Sequence, residues 1–334
     1  MLLAKTDILL PREGIDLSRW AVIACDQHTS EKEYWKELED YIGEAPSTLR
    51  LMMPEAYLGG PDRTAEINAA MNDYLDRGIF RTIENTYIYV ERTLGSGLVR
   101  KGLIGALDLN EYDYSPGSSP LIRATEGTVE SRLPARVNIR KGASLEIPHA
   151  IVFTEEDFPV EKGELLYDFD LNMSGGHIRG WKAEADLSKI SRMAVGDGNH
   201  SLATAKLCGS ESALVEIINI HDPAVVFEPI HRVVFGTDTS FLKEKVLHFS
   251  SVSECEQFCR GYIEKHGGTI DYIHNDSTAL SMASNKGCFA AMLPAFDKGR
   301  LFDDVFTKGP YPKKSFSIGL ADDKRYYLEC RKIK

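Results

Sequence analysis

Short apolar segments alternate with polar, Gly- or Pro-bearing turns along the chain, a pattern typical of a protein that mixes helices and strands. Apolar runs rich in β-branched and aromatic residues predict strands near residues 20–24, 86–92, 98–109, 121–129, 150–153, 165–171, 191–195 and 289–293. Apolar positions three and four apart predict helices at residues 63–77, 201–207 and 252–266. The segments at 86–92 and 98–109 flank a Gly-bearing turn and are predicted to form a β-hairpin.

The chain is long enough for about two domains, and its composition changes after residue 235. No internal repeat, low-complexity tract or long linker interrupts its 334 residues. The part after residue 235 has its own predicted helix and strands. We therefore predict a larger domain at residues 1–235 and a smaller C-terminal α/β domain at residues 236–334.

Charge and composition narrow the range of partners. The chain carries 39 Lys and Arg against 50 Asp and Glu, a formal net charge of −11, so no overall basic field attracts nucleic acid. No apolar stretch approaches the ~20 residues that span a bilayer, and the first residues lack the apolar core of a signal peptide. We expect a folded, cytoplasmic protein without nucleic-acid or membrane partners.

The six cysteines are scattered and do not form the dense framework of a disulfide-rich protein, so reduced thiols are expected. Cys255 and Cys259 lie four residues apart on a predicted helix, which puts both on one face. No second Cys or His pair at zinc spacing accompanies them, and two buried thiols are the favoured interpretation.

The most informative segment is Gly196-Asp197-Gly198-Asn199-His200, which separates a predicted strand from a predicted helix. Two glycines let the backbone turn sharply and approach a ligand, and the helix directs its first N–H groups and positive dipole end at the turn, which favours phosphate. Asp197 could hold Mg²⁺ or accept a hydroxyl proton, and Asn199 could donate to phosphate. His200 could bind phosphate or transfer a proton. The alternative is structural, with Asp197 or Asn199 capping the helix.

Two other segments could bind a ligand. His231-Arg232 offers a phosphate-binding pair, with strand-end residues paired to acidic side chains as the structural alternative. Asp26 lies in the polar turn after the first apolar run and could bind substrate or a metal, or belong to an ordinary surface turn.

The segment from Arg123 to Thr128 joins a cation, a carboxylate and two hydroxyl groups around a glycine. Arg132 and Arg136 follow it closely. Glu126 in this segment is a candidate general base.

These motifs resemble domain-of-unknown-function family 1015, bacterial and archaeal proteins with a D-G-x-H box after a strand. The resemblance spans about residues 20–236 and consists of several ordered motifs. The motifs are Cys25-Asp26-Gln27, Glu126-Gly127-Thr128, the box Asp197-Gly198-Asn199-His200 and Pro229-Ile230-His231-Arg232.

The box is in turn similar to the D-G-H-H-R box of free serine kinases with the ParB/sulfiredoxin-like fold, which phosphorylate L-serine with an adenine nucleotide. This resemblance implies an α+β protein with a ParB/sulfiredoxin-like mixed-sheet core. It implies that Asp197, His200 and Glu126 are catalytic. On this resemblance Glu126 is the base for the substrate hydroxyl, His200 contacts the transferred phosphoryl group, and Asp197 is the Mg²⁺ ligand and the alternative base. The implied phosphate- or nucleotide-binding residues are Gly196, Gly198, Asn199, Ser201, His231 and Arg232, and the substrate-binding residues are Asp26, Arg123 and Thr128.

Two positions depart from the kinase box. Asn199 stands where that box has its first His, and Ser201 stands where it has Arg. The missing Arg removes a bidentate phosphate contact. Arg232, Arg123 or Lys206 could supply a replacement charge.

Three functions follow as hypotheses. The first is a phosphotransferase on a small hydroxy amino acid, L-serine or O-phosphoserine, with ATP or ADP and Mg²⁺ in either direction. The second is a non-catalytic nucleotide-binding switch, for which a homodimer is the natural form. The third is a metal-dependent phosphohydrolase using Asp26, His28, Asp197 and His200, although no compact metal motif is present.

Overall fold

The computed structural model describes residues 1–29, 31–115, 117–128, 133–147, 150–319 and 323–334. Within these residues the chain forms 21 β-strands and eight α-helices. The strands are β1 (Leu3–Ala4), β2 (Thr6–Pro11), β3 (Val22–Ile23), β4 (Phe80–Thr93), β5 (Val99–Asp108), β6 (Tyr112–Asp113), β7 (Ile122–Ala124), β8 (Leu145–Glu146), β9 (Ala150–Thr154), β10 (Val160–Asp170), β11 (His177–Ala185), β12 (Met193–Asp197), β13 (Ser212–Asn219), β14 (Phe227–Pro229), β15 (His231–Phe235), β16 (Val246–His248), β17 (Thr269–Ile273), β18 (Phe289–Met292), β19 (Phe316–Ile318), β20 (Tyr326–Tyr327) and β21 (Arg331–Lys332). The helices are α1 (Leu17–Trp20), α2 (Lys32–Ile42), α3 (Thr64–Asp76), α4 (Leu133–Gly142), α5 (Asn199–Leu207), α6 (Val252–His266), α7 (Asp276–Ala283) and α8 (Leu301–Lys308). None of these helices has the length and apolar composition that crossing a membrane requires.

Eleven strands form one large mixed sheet. Its order is β10, β11, β4, β5, β13, β9, β12, β7 and β6, with β1 paired to β5 and β2 paired to β4. The predicted hairpin is confirmed as β4 and β5, whose register sets Ile88 opposite Ile104. β13 runs parallel to β9, and β12 runs parallel to β7 but antiparallel to β9. The predicted mixture of helices and strands around a mixed sheet is therefore confirmed.

The three predicted helices are confirmed as α3, α5 and α6, and α6 has the predicted bounds. The prediction was wrong at Trp20, which ends the short helix α1 instead of opening a strand. Asp16 explains this helix, because its side chain accepts a hydrogen bond from Ser18 N at 3.0 Å and caps the first turn. The predicted strand at 121–129 is observed only as β7, and Val129 lies outside the described residues.

A smaller sheet is formed by β16, β18, β15 and β17. α6 and α7 pack on its two faces, as neighbouring residues of β15 show. Val234 packs with Cys255 and Cys259 of α6, whereas Val233 packs with Ala279 of α7. Both cysteines are buried, and all six cysteines of the chain are free thiols, as predicted.

The last part of the chain packs against the large sheet and pairs with two short strands outside it. Phe302 of α8 shares an apolar cluster with Phe153 of β9. β20 pairs with β3, and β21 pairs with β8. Leu328 between them is fully buried, and its carbonyl accepts a hydrogen bond from Trp20 Nε1 at 2.9 Å. The domain boundary near residue 236 stays a prediction, while these pairings join the C-terminal residues to the N-terminal part of the chain.

Leu328→Ala tests whether the C-terminal segment is part of the main core. Its side chain is fully buried, so we expect a loss of about 2–5 kcal/mol in the free energy of unfolding. The control is Leu280→Ala, whose side chain is 44% exposed on α7 and whose loss should stay within about 0.5 kcal/mol. Urea unfolding followed by tryptophan fluorescence measures both values. Equal, small losses would show that the segment does not contribute to the core.

Candidate functional site

Two glycines shape the turn between β12 and α5. β12 continues through Gly196 to Asp197, further than the sequence pattern predicts, with a register shift against β9 at this point. A Cβ on Gly196 would lie 2.5 Å from Cε2 of Phe153. Gly198 has a φ of 90°, and a Cβ there would lie 2.8 Å from Ala150 Cβ. Both positions therefore require glycine.

No side chain caps the start of α5. Asp197 Oδ1 accepts a hydrogen bond from Gly198 N at 2.9 Å, which is not a capping contact with the first turn. Asn199 Oδ1 is buried and has no hydrogen-bond partner among the described residues. The structural alternative, in which Asp197 or Asn199 caps the helix, is therefore wrong. The positive end of the helix dipole remains uncompensated by a capping side chain.

A small polar cavity lies in front of this helix. Its wall combines four distant parts of the chain: the turn after β3, α4, the start of β9 with the β12–α5 turn, and the C-terminal segment. The lining residues are Ala24, Cys25, Asp26, Arg136, Ile151, Asp197, Gly198, His200, Ser201, Arg325 and Tyr327. The cavity thus brings together five of the predicted site residues, namely Asp26, Asp197, Gly198, His200 and Ser201.

The carboxylates Asp26 and Asp197 share this cavity. Burial raises the pKa of Asp197, and the charge of Asp26 raises it further. Lys324 lowers this pKa, since its Nζ lies 3.9 Å from Asp197 Oδ2. Mg²⁺ is usually bound by one or two protein carboxylates together with substrate phosphates. The pair therefore fits a Mg²⁺ that arrives with a phosphate ligand. Over the ranges that the structure describes, no group of three or more His, Cys, Asp and Glu side chains forms a metal site.

Arg136 and Arg325 supply cations to the cavity wall. Arg136 comes from α4 and forms an ion pair with Glu55. Arg325 forms a buried ion pair with Glu216, and its Nη2 lies 3.7 Å from Glu329 Oε2. Burial lowers the pKa of Arg325 to about 10, which leaves it charged at neutral pH. Two guanidinium groups beside a helix N-terminus suit an oxyanion such as phosphate.

An apolar cavity adjoins the polar one, and Cys25, Arg136 and Ser201 line both. Burial raises the pKa of the Cys25 thiol to about 12, with Asp26 adding to the rise, so the thiol is neutral at this boundary. The apolar lining residues are Leu51, Met52, Met53, Leu58, Met71, Ala135, Ile139, Ala143 and Leu145. Glu55, Arg140, Glu146 and Thr204 also line this cavity. The two adjoining cavities thus offer mainly apolar surface on one side and mainly polar and charged groups on the other.

His231 and Arg232 lie in the smaller sheet and line neither cavity. His231 Nε2 is 2.7 Å from Asp276 Oδ1, and His231 Nδ1 accepts a hydrogen bond from Leu293 N at 3.0 Å. Arg232 is fully buried and donates from Nε to Glu256 Oε1 at 2.8 Å. These contacts agree with the structural alternative, and the phosphate-binding role of both residues stays a prediction without a supporting contact.

The segment from Arg123 to Thr128 is also absent from the lining of both cavities. Arg123 Nη1 donates to two carbonyls of α8, at 3.2 and 2.9 Å, a favourable position for a cation at a helix C-terminus. Glu126 Oε1 accepts a hydrogen bond from Ser315 N at 3.2 Å, and burial raises the pKa of Glu126. Thr128 Oγ1 is buried and unpartnered within the described ranges. Arg132 lies outside the described residues.

The arginines that line the polar cavity, Arg136 and Arg325, are not among the residues that the sequence suggested as replacements for the arginine of the kinase box. Arg123 and Arg232 are engaged elsewhere, and Lys206 Nζ donates to a backbone carbonyl at 3.1 Å. Arg136 follows a candidate segment closely in sequence, which is a weak signal for its role. Arg325 comes from the C-terminal segment, where no local motif marks it.

His28, which the hydrolase hypothesis requires, is not part of the polar cavity lining. Its ring stacks on Tyr34 with the centroids 3.8 Å apart, and its Nδ1 lies 3.2 Å from Glu31 Oε1. The four side chains of that hypothesis are therefore not gathered around one cavity.

Gly198→Ala tests the tight turn at the cavity. We expect a loss of about 2–4 kcal/mol, because left-handed backbone strain of about 1–2 kcal/mol adds to overpacking against Ala150. Gly209→Ala is the matched control, since Gly209 has a φ of 76° but no atom within 4 Å of a Cβ. It should lose about 1–2 kcal/mol from strain alone. Urea unfolding of both variants gives the difference, and equal losses would contradict the close approach to Ala150.

Comparison with known proteins gives similar solved structures at low identity, whereas no curated protein matches the chain. A structure described as free serine kinase in complex with AMP has 10% identity and a TM-score of 0.42, covering 67% of this chain and 90% of that chain. A mutant of free serine kinase in complex with ADP has 11% identity and a TM-score of 0.42, covering 67% and 91%. A conserved hypothetical protein from Pyrococcus furiosus has 9% identity and a TM-score of 0.38, covering 69% and 95%.

One protein family matches the sequence over nearly its whole length, from residue 9 to residue 334. The matched range contains all the motifs on which the sequence resemblance was based. That resemblance is confirmed, and the chain belongs to the family described as Protein of unknown function (DUF1015).

Proposed function

We propose that the protein is a phosphotransferase that acts on a small hydroxy amino acid, L-serine or O-phosphoserine, with an adenine nucleotide and Mg²⁺, in either direction. The observation that carries the proposal is the polar cavity at the start of α5, which continues into an apolar cavity past Cys25, Arg136 and Ser201. The D-G-x-H box at residues 197–200, with its similarity to the box of free serine kinases, supports the same chemistry.

The two cavities suit the two ends of a nucleotide. A purine base is flat and largely apolar, and residues such as Leu51, Met52 and Met71 offer it an apolar wall. Phosphate groups need cations and N–H donors, which Arg136, Arg325 and the start of α5 supply. The neutral thiol of Cys25 lies where these two environments meet, so it places no charge against the base.

Asp26 and Asp197 are the residues that would hold Mg²⁺. When bound there with the phosphates, the ion would neutralise charge on the transferred phosphoryl group. The remaining work of the site is to position phosphate and hydroxyl groups and to move one proton, which is where most catalysis of phosphoryl transfer arises.

In the forward direction the serine hydroxyl oxygen attacks the terminal phosphorus of the nucleotide. A new P–O bond forms as the P–O bond to the leaving nucleotide breaks, and the hydroxyl proton passes to His200. Histidine suits this step because its side chain changes charge near neutral pH. Glu126, the base that the resemblance to free serine kinases implies, and Asp197 are the alternatives to His200; Glu126 lines neither cavity, and its Oε1 accepts a hydrogen bond from Ser315 N. The reverse reaction returns the proton from His200.

We also propose a finer assignment of the fold. It consists of a ParB/sulfiredoxin-like core at residues 1–235 and a smaller C-terminal α/β domain at residues 236–334. The four-stranded sheet with its own apolar clusters around α6 and α7 supports a separate smaller unit. Its strand β15 begins before residue 236, and β20 and β21 pair with the N-terminal part of the chain.

Phosphorus NMR tests the proposed reaction in both directions. The protein is incubated with Mg²⁺, L-serine and ATP, and separately with Mg²⁺, O-phosphoserine and ADP. We expect a new phosphomonoester or nucleotide signal that His200→Ala and Asp197→Asn each slow by about 100-fold or more, since acid–base and electrostatic groups typically contribute that much. His221→Ala, at an exposed histidine away from both cavities, is the control and should react normally.

Unchanged turnover in His200→Ala and Asp197→Asn would overturn the assignment of the site. Nucleotide binding without product in either direction would favour the nucleotide-binding switch. Equal folding of the variants is checked by urea unfolding, so that a loss of turnover reports on the site.

Ala135→Phe tests whether the apolar cavity holds the base. Ala135 is an exposed residue of that lining on α4, so a larger side chain narrows the cavity without disturbing the core. We expect ADP affinity with Mg²⁺ to fall about tenfold, equal to about 1.4 kcal/mol, while the affinity for Mg²⁺-pyrophosphate stays unchanged. Asn138→Phe, exposed on the same helix but absent from the lining, is the control. Isothermal titration calorimetry measures all affinities, and equal losses for both ligands would contradict this placement of the base.

A further inference from the structure

Arg325 in the wall of the polar cavity is held by two carboxylates on its far side. Its Nη1 forms an ion pair with Glu216 Oε2, and its Nη2 lies 3.7 Å from Glu329 Oε2. The side chains are almost fully buried, with exposed fractions of 7% for Arg325, 3% for Glu216 and 1% for Glu329. Nη1 is therefore committed to a protein partner, and Nη2 lies near a second carboxylate at a distance beyond a direct hydrogen bond.

The third nitrogen of this guanidinium group is different. Arg325 Nε is buried and has no hydrogen-bond partner among the described residues. Buried donors are normally satisfied, and a charged donor without an acceptor is strongly unfavourable. Because the guanidinium group is planar, the ion pair at Nη1 and the nearby carboxylate of Glu329 also restrict the direction of the Nε–H group. The polar cavity that Arg325 lines is where a ligand could supply this acceptor.

The surrounding structure is built to keep the carboxylates in place. A Cβ on Gly102 of β5 would lie 2.5 Å from Glu216 Cγ, so the carboxylate occupies space that only a glycine leaves. Glu329 Oε1 accepts a hydrogen bond from the hydroxyl of Tyr167, which is also buried. The two carboxylates therefore have little freedom to turn away from Arg325.

We propose that Glu216 and Glu329 are positioning residues that hold Arg325 so that its Nε–H donates to an oxygen of the bound phosphate. This inference rests on the proposed function, because it takes the ligand of the cavity to be a nucleotide phosphate. Glu216 and Glu329 do not touch the ligand and act through Arg325.

The alternative for Glu216 is that it only neutralises the charge of Arg325. The two roles predict opposite changes in the affinity for an anion when the charge of Glu216 is removed. If Glu216 only cancelled positive charge, removing its charge would strengthen anion binding. If Glu216 positions Arg325, the same change weakens binding, because the freed guanidinium group can turn towards Asp26 or Asp197 instead of the ligand.

The test is a double-mutant cycle on the full-length protein with ADP and Mg²⁺, measured by isothermal titration calorimetry. We expect Glu216→Gln to weaken ADP binding about tenfold, in line with a hydrogen bond from a charged donor. Arg325→Gln should weaken it by at least as much, and the double variant should bind like Arg325→Gln alone. Glu256→Gln, which breaks the ion pair with buried Arg232 in the smaller sheet, is the matched control and should bind ADP normally.

Stronger or unchanged ADP binding in Glu216→Gln, or additive losses in the double variant, would overturn the positioning role while leaving the proposed function intact. Absence of ADP binding by the unmodified protein would instead overturn the proposed function, and this inference with it. If Glu216→Gln does not fold, Glu329→Gln takes its place in the same cycle. That variant retains an amide oxygen for the Tyr167 hydroxyl and carries the same expected weakening.

Discussion

The hydrogen bonds that hold residues 323–325 against the β4–β5 hairpin are the constraint on which the site depends. Arg92 Nη2 donates to Gly175 O at 2.8 Å, and Arg92 Nη1 and Arg100 Nη1 donate to Asp323 O at 3.3 and 2.6 Å. Burial lowers the pKa of Arg100 to about 10, so this arginine remains charged in the interior at neutral pH. A buried cation that lost its acceptors would be strongly destabilising. The C-terminal segment therefore stays docked, and it brings Arg325 into the wall of the polar cavity.

The mixed direction of the large sheet explains why the site forms at the end of β12. β12 runs antiparallel to β9, so the last residue of β12 lies beside the first residues of β9, with Asp197 opposite Ile151. This proximity is the origin of the close approach between Gly198 and Ala150. It also exposes the start of α5 to the space between the turn after β3 and the C-terminal segment. Gly196 and Gly198 are therefore required by packing, whichever ligand the cavity takes.

Local sequence patterns predicted those parts of the molecule whose structure is decided locally. The hairpin, the bounds of α6 and the glycine turn before α5 follow from spacing and turn residues within about 20 positions. Arg325 could not be predicted, because β20 pairs with β3 across nearly the whole chain and such pairing leaves no local pattern. The His231-Arg232 pair shows the converse difficulty. A cation beside a histidine looks the same in sequence whether it binds phosphate or, as in the structure, pairs with carboxylates while the histidine accepts from the backbone.

The charges around the polar cavity bear on the form in which a phosphate ligand would enter it. Each cation already has a carboxylate partner, with Arg136 paired to Glu55, Arg325 to Glu216 and Lys324 to Asp197. Asp26 adds a further negative charge to the same wall. A free phosphate would therefore meet a cavity whose positive charge is largely cancelled, and the helix dipole alone contributes only about 1 kcal/mol. A phosphate accompanied by a divalent cation would meet a matching set of charges, because Asp26 and Asp197 would hold the cation and the arginines and the helix would receive the phosphate oxygens. The arrangement of charge thus suits a phosphate accompanied by a divalent cation better than a bare oxyanion.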